Sequence, residues 1–181
     1  MTPPSRGFRQ LRDAVLSLSL SEAFVRPLYH WRTSRPHEYT GSKLNSAGDD
    51  NALFQSGPAH GAPPANVRLG ADNFLLDHLG GGFDLLVFGD HLPADVQATV
   101  QAWRAQGLKL RVLQIGQGAS SEGADACLPD PEGRARSRWG VATSGAAYLL
   151  RPDQHVCARW MTLDAHRLNA ALKQATTGVA A

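Results

Sequence analysis

Phe8, Leu11, Val15 and Leu18 recur at three- and four-residue spacing, which puts them on one stripe of a helix whose other faces carry Arg9, Arg12, Asp13 and Ser17. Ser21 with Glu22 behind it suits a restart or a new cap. Phe24, Val25 and Leu28 extend the apolar content, and Pro27 breaks the regular pattern. From about Arg32 to Pro64 the periodicity disappears. Ser, Gly, Asn, Asp, Pro and His dominate, with Leu44, Leu53 and Phe54 isolated among them, a composition that reads as a linker lying over a surface.

A different pattern begins after Pro64. "NVRLG" predicts a short edge strand, "NFLLDHLG" a helical turn or two ending at glycine, and "FDLLVFG" a strand buried on both faces, because its apolar run is continuous. "LPADVQATVQAWRAQG" predicts a helix with Pro93 near its first position, Val96, Val100 and Trp103 on one stripe, and Gly107 as carboxyl cap. "LKLRVLQIG" is a second buried strand, so strand, helix and strand form a βαβ unit with parallel strands. A Gly-, Ser- and acid-rich loop over 116–133 leads to "RARSRWGV", a short helix ending at Gly140. Two strands joined at Arg151–Gln154 follow, and "LDAHRLNAALKQATTG" closes the chain as a helix with Leu168, Leu172 and Ala175 on one stripe and Thr162 or Asp164 as cap. The order βαβ, connector, ββα predicts an α/β fold: a mixed sheet flanked by helices, with an N-terminal helical extension.

Composition narrows the function classes. A chain of 181 residues has room for one domain of roughly 100 to 150 residues plus an appendage, without disulfide or metal staples. Lys+Arg 18 against Asp+Glu 16 leaves a formal charge of +2, and only "GRARSR" is locally basic, so the stripe or patch of a nucleic-acid binder is missing. The amino terminus lacks the apolar stretch of a secretory signal, and no run approaches the roughly 18 to 20 apolar residues of a spanning helix. The expectation is a cytoplasmic protein. Cys127 and Cys157 stand far apart and form neither a CxxC pair nor a zinc half-site.

The residues that carry chemistry gather around the hairpin at 148–160. Arg151, Pro152, Asp153 and Gln154 fit the four places of a type I turn, proline at the second and aspartate at the third. Strict alternation then sets His155, Cys157 and Arg159 on one face and Val156, Ala158 and Trp160 on the other, with His155 toward solvent. A thiol two residues from a histidine resembles a thiolate pair, yet such side chains stand nearly 7 Å apart along a strand and no third orienting group is evident. Gly80–Gly82 precede a strand, the wrong polarity for a phosphate loop, and read as a turn. Seven histidines (30, 37, 60, 78, 91, 155 and 166) never form HxH or HExxH, which favours surface and capping roles over metal binding. Adjacent Asp49 and Asp50 read as solvated linker residues.

The order βαβ then ββα, with "DPEGRARSRWGV" leading into a strand and a polar turn, resembles the thioredoxin fold. That family carries CxxC where the first long strand meets its helix, here "FGDHLPADV" (88–96), which has no cysteine. Its cis proline precedes the strand at Ala146–Leu150, where this chain has Gly145 or Ala146. More closely, "LLDHLGGGFDLLVFG" and "AYLLRPDQHVCARW" resemble the carboxyl-terminal thioredoxin-like domain of flavin-dependent aromatic-ring hydroxylases, the phenol hydroxylase and 3-(3-hydroxyphenyl)propionate hydroxylase group. "LRDAVLSLSLSEAFVRPL", the Tyr39-x-Gly-Ser-Lys-Leu-Asn45 stretch and "SGPAHGAPPANVRL" are similar to the helix and connector that end the flavin domain of those enzymes.

That resemblance implies three segments: residues 1–45 as the helical end of a flavin domain, 46–64 as linker, and 65–181 as a thioredoxin-like domain. It also implies a structural module that packs on a flavin domain and contributes to subunit association. The dinucleotide fingerprint and the flavin-contacting Gly-Asp motif have no counterpart here, so no catalytic, cofactor-binding or metal residue is assigned. The expected cofactor is none. The expected partner is a second copy through Phe8, Leu11, Val15 and Leu18, or a flavin hydroxylase core supplied by another chain. A thiol enzyme using Cys157 or Cys127 is the reading from a different class.

Overall fold

The computed structural model describes residues 5–28, 37–117, 122–142 and 145–178. Its contacts part the chain into two units, Met1–His37 and Glu38–Ala181. In the first unit α1 spans Arg6–Ser21, where the Ser5 hydroxyl caps the first turn by accepting from the Phe8 amide at 3.3 Å. No residue of α1 is buried. Phe8, Leu11 and Leu18 are exposed, Val15 is partly so, and Leu16 and Leu20 are exposed as well. A 3₁₀ stretch at Ala23–Leu28 follows and contains Pro27.

The second unit is built on a five-stranded sheet. β1 (Arg68–Gly70) and β2 (Asn73–Phe74) form a small antiparallel ribbon, and a 3₁₀ turn at Leu75–His78 leads to β3 (Phe83–Phe88). α2 (Ala94–Ala105) crosses to β4 (Leu110–Gly116), which pairs parallel with β3 from Phe83↔Leu110 to Phe88↔Ile115. β5 (Ala126–Pro129), α3 (Arg134–Arg138), β6 (Ala146–Leu150), β7 (Val156–Trp160) and α4 (Ala165–Thr177) complete it. The sheet order is β5-β4-β3-β6-β7. β6 runs antiparallel to both of its neighbours, so the architecture is the expected thioredoxin-like mixed sheet flanked by helices. β5 lies inside the stretch expected as loop and adds a parallel edge strand beside β4.

Each face of the sheet owns a core. Leu85, Val87, Ala147 and Leu149 pack with Val96 and Val100 of α2 and Leu168 and Leu172 of α4. Leu86, Phe88, Tyr148 and Leu150 pack with Trp139, Phe54, Val67 and Leu75 on the other side. β3 is buried at all six positions because it is central and covered on both faces, and its one polar residue, Asp84, is satisfied by the Gly80 amide at 2.7 Å and by Arg111 Nε at 2.8 Å. Trp139 and Tyr148 meet edge to face at 4.8 Å, and the Tyr148 hydroxyl donates to the Trp139 carbonyl, which satisfies a polar group that burial would otherwise strand.

Candidate functional site

The hairpin turn forms as the sequence implies and then departs from it. The Gln154 amide donates to the Arg151 carbonyl at 2.8 Å, closing the turn, while the Arg151 amide donates to the His155 carbonyl at 2.9 Å. Gln154 itself has φ 58°, so the loop is a type I turn followed by a left-handed residue, a three-residue hairpin connection. Pairing across the hairpin then shifts between Leu149 and Leu150, where Ala158 and Val156 are the partners and Cys157 is the extra residue of a β-bulge. The bulge overturns the expected alternation. Cys157 joins Ala158 and Trp160 in the core beneath α2 and α4, and Val156 joins the opposite core.

Cys157 is therefore a fully buried thiol, and desolvation pushes its pKa up to about 12. Thiolate is the reactive species, and burial works against its forming at this position near neutral pH. Cys127 is half-buried on the edge strand β5. His155, expected toward solvent, lies edge to face against Tyr39 with ring centroids 5.0 Å apart, and its Nδ1 is 2.9 Å from the Asp153 carbonyl oxygen. Nothing joins it to the Cys157 thiol as base to nucleophile. The arginine of the hairpin is occupied as well. Arg151 donates to both Asp153 carboxylate oxygens (3.1 and 2.8 Å) and to Ser42 Oγ and Asn45 Oδ1 at 3.3 Å. Burial raises the Asp153 pKa, but Arg151 and, less strongly, His155 together more than offset it, so the carboxyl titrates below its ordinary value.

The partners of this hairpin come from residues 38–64, which form a strap along β7. The Val156 amide donates to the Ala62 carbonyl at 3.0 Å and the Gly61 amide to the Val156 carbonyl at 2.8 Å. Ser46 N donates to the Cys157 carbonyl, Asp50 N to the Arg159 carbonyl, and Arg159 N to Asp49 Oδ2. The strap thus satisfies the outer backbone groups of an edge strand, covering an edge that would otherwise pair with another chain. Asp49 and Asp50, expected as solvated linker residues, are structural anchors. Asp49 also pairs with His60, and Asp50 accepts from Met161 N at 2.9 Å and pairs with Arg167. The Arg167 hydrogen bond outweighs burial and lowers the Asp50 pKa. Buried Arg159 donates to Asn51 Oδ1 at 2.7 Å, to the Asn51 carbonyl at 3.2 Å and to the Ser56 carbonyl at 3.1 Å, and its guanidinium lies 4.5 Å from the Phe54 ring centroid.

Sequence reasoning did not find these anchors. The one signal was Arg159 itself, a charge set between apolar strand residues, which folds only if other segments bring it acceptors.

Where a thioredoxin would carry its cysteines, this chain has Gly89, Asp90, His91 and Leu92 between β3 and α2, and Asp90 Oδ1 accepts from the Gln117 amide at 3.1 Å. The position of the family's cis proline holds Gly145, φ 91°, whose amide donates to the Phe88 carbonyl. No group of three or more His, Cys, Asp or Glu side chains poised for a metal exists among the described residues; His30 lies outside them. Gly81 and Gly82 form a bend just ahead of β3. A Cβ on Gly82 would stand 2.4 Å from the Lys109 carbonyl oxygen, so close backbone approach explains that glycine without a phosphate. No helix among the described residues is long and apolar enough to cross a membrane.

No family model matches the sequence, and no curated protein does. Solved structures match the fold over almost the whole chain. The flavin-dependent monooxygenase PieE, in complex with FAD and substrate, is 21% identical with a TM-score of 0.60, over 97% of this chain and 30% of its own. The rebeccamycin biosynthetic enzyme RebC with reduced flavin is 22% identical with a TM-score of 0.58, over 99% of this chain and 31% of its own. This chain spans about 30% of the length of these flavin enzymes. What it shares with them is the fold of that part.

Proposed function

We propose that this chain is a non-catalytic thioredoxin-like domain, the counterpart of the association domain of FAD-dependent aromatic-ring monooxygenases, working in the cytoplasm through protein contacts. The observation that carries this reading is the fold match, nearly complete for this chain and limited to about 30% of the flavin enzymes. The buried thiol supports it, since the fold's usual chemistry would need an exposed, acidic cysteine. The partner surface is the α1 stripe of Phe8, Leu11, Val15 and Leu18, none of them buried. A second copy covers it. Sedimentation at micromolar concentration is expected to give a dimer or larger species. A monomer up to high micromolar concentration, with α1 mobile, would overturn the reading.

A second reading follows from the same coverage. The chain acts as an accessory subunit for a flavin hydroxylase core on another polypeptide, and the partial span of the flavin enzymes is what favours it. The purified chain mixed with FAD is expected to hold no yellow chromophore after desalting. Bound flavin, or oxidation of an aromatic compound by this chain alone, would refute both readings.

A further inference from the structure

An open groove of about 400 Å³ lies between the strap's Asn51–Leu53 turn, α3 and the residues that follow β7. Leu53, Val141 and Met161 supply its apolar wall, and Arg136, Ser137 and Ser56 its polar one. No aromatic ring lines it.

Arg136 makes the groove chemically specific. Its side chain is only partly accessible to water, and it makes neither a hydrogen bond nor an ion pair with the described residues. A guanidinium stays charged at every accessible pH and carries five donors shaped for a carboxylate. The carboxylates of the surrounding elements are already engaged. Asp130 accepts from the Ala135 and Arg136 amides at 3.1 Å each, Glu132 pairs with Arg134, and Asp50 pairs with Arg167. Among the described residues, the hydroxyls of Ser56 and Ser137 make no side-chain hydrogen bond either. Leu53 is 65% exposed beside them, an apolar side chain left uncovered.

One uncommitted cation at the edge of an aliphatic wall, in a volume within the range of small-molecule sites, calls for one anionic head on a short apolar tail. We propose that this groove binds an aliphatic monocarboxylate, with the carboxylate on Arg136 and the hydrocarbon against Leu53, Val141 and Met161. The absence of an aromatic ring leaves nothing to stack on, which selects an aliphatic over an aryl tail.

The test is a ¹H–¹⁵N correlation titration of the whole chain with hexanoate, acetate and hexylammonium. Hexanoate is expected to move the amides of Gly140, Val141, Ala142 and Met161 saturably. Acetate should bind at least ~10-fold more weakly for want of the buried methylenes, and hexylammonium should not bind at this site. Arg136→Gln should weaken hexanoate by ~10-fold or more while Arg136→Lys retains part of the binding, each variant keeping the parent's spectrum away from the groove. Shifts that never saturate, shifts indifferent to Arg136→Gln, or binding by a leucine-terminated peptide but not by hexanoate would each overturn the assignment.

Discussion

At the scale of single residues, environment decides what Cys157 does. Cys157 belongs to the same core as Ala158, Trp160 and Leu168, with no exposed surface, and desolvation lifts its pKa to about 12. Iodoacetamide near pH 7.5 is expected to label Cys157 only as fast as the unit opens. Adding a moderate denaturant concentration should accelerate labelling in step with unfolding; rapid labelling of the folded protein would revive a thiol reaction. Glycines give a second residue-scale comparison. Gly57 and Gly81 have nearly equal φ, 81° and 84°, yet a Cβ on Gly57 would stand 2.2 Å from the Trp139 carbonyl oxygen, while one on Gly81 would meet nothing within 4 Å. Gly81→Ala should cost about 1 kcal/mol from backbone conformation alone. Gly57→Ala adds a clash with the backbone that the strap cannot avoid, and about 3 kcal/mol is expected, measured by urea unfolding of both variants. Equal losses would mean that the strap moves aside freely. The hairpin turn was legible at this scale because proline and aspartate have fixed places in a type I turn. The left-handed Gln154 was not, because glutamine carries no preference for that region.

At the scale of elements, what the sequence revealed and what it hid divide by the kind of bond involved. β3 and β4 announce themselves by apolar runs of strand length and α2 and α4 by helical periodicity, since each local pattern matches the faces the element buries. The strap joins its partners through bonds such as Arg159 to Asn51, 108 residues away, and no local pattern records which carboxylate will meet which edge amide. The bulge at Cys157 escaped for a related reason, because one extra residue in β7 depends on how β6 pairs and not on the apolar pattern of β7 itself. The strap's grip is testable through Asp50, which holds Met161 N and Arg167 at once. Asp50→Asn should destabilise the second unit by about 2 kcal/mol near neutral pH, the usual loss for hydrogen bonds to a charged group. The folded pKa of Asp50 lies below its ordinary value of 3.8. Its contribution is therefore complete above that value and is lost as pH falls through the lowered folded value. Urea unfolding from about pH 3 to 7 should show the gap between parent and variant constant above roughly pH 5 and narrowing below about pH 4. A gap that widens toward acid would contradict the assigned pair.

At the scale of the whole chain, the mixed sheet flanked by helices was anticipated from the order βαβ then ββα, and β5 was not. That strand is four residues long and carries only Leu128 as a buried position, too little to register as an apolar run. α1 was equally legible. A helix that leaves Phe8, Leu11 and Leu18 exposed gives up roughly 1.5 to 3 kcal/mol for each such side chain relative to burial, which is the free energy the proposed association would draw on. Under the proposed function, placing carboxylates in that stripe should dissolve the assembly without touching the sheet. The double variant Leu11→Glu, Val15→Glu removes two of the four contacts from each copy and sets like charges against each other. A loss of at least ~3 kcal/mol is expected, roughly a hundredfold rise in the dissociation constant. Sedimentation velocity over a concentration series reads that rise directly. Intrinsic fluorescence reports in parallel that Trp139 and Trp160, both fully buried in the second unit, keep their environment. If the variant associates as strongly as the parent, copies of the chain meet through some other surface, and α1 is left for a different polypeptide to cover.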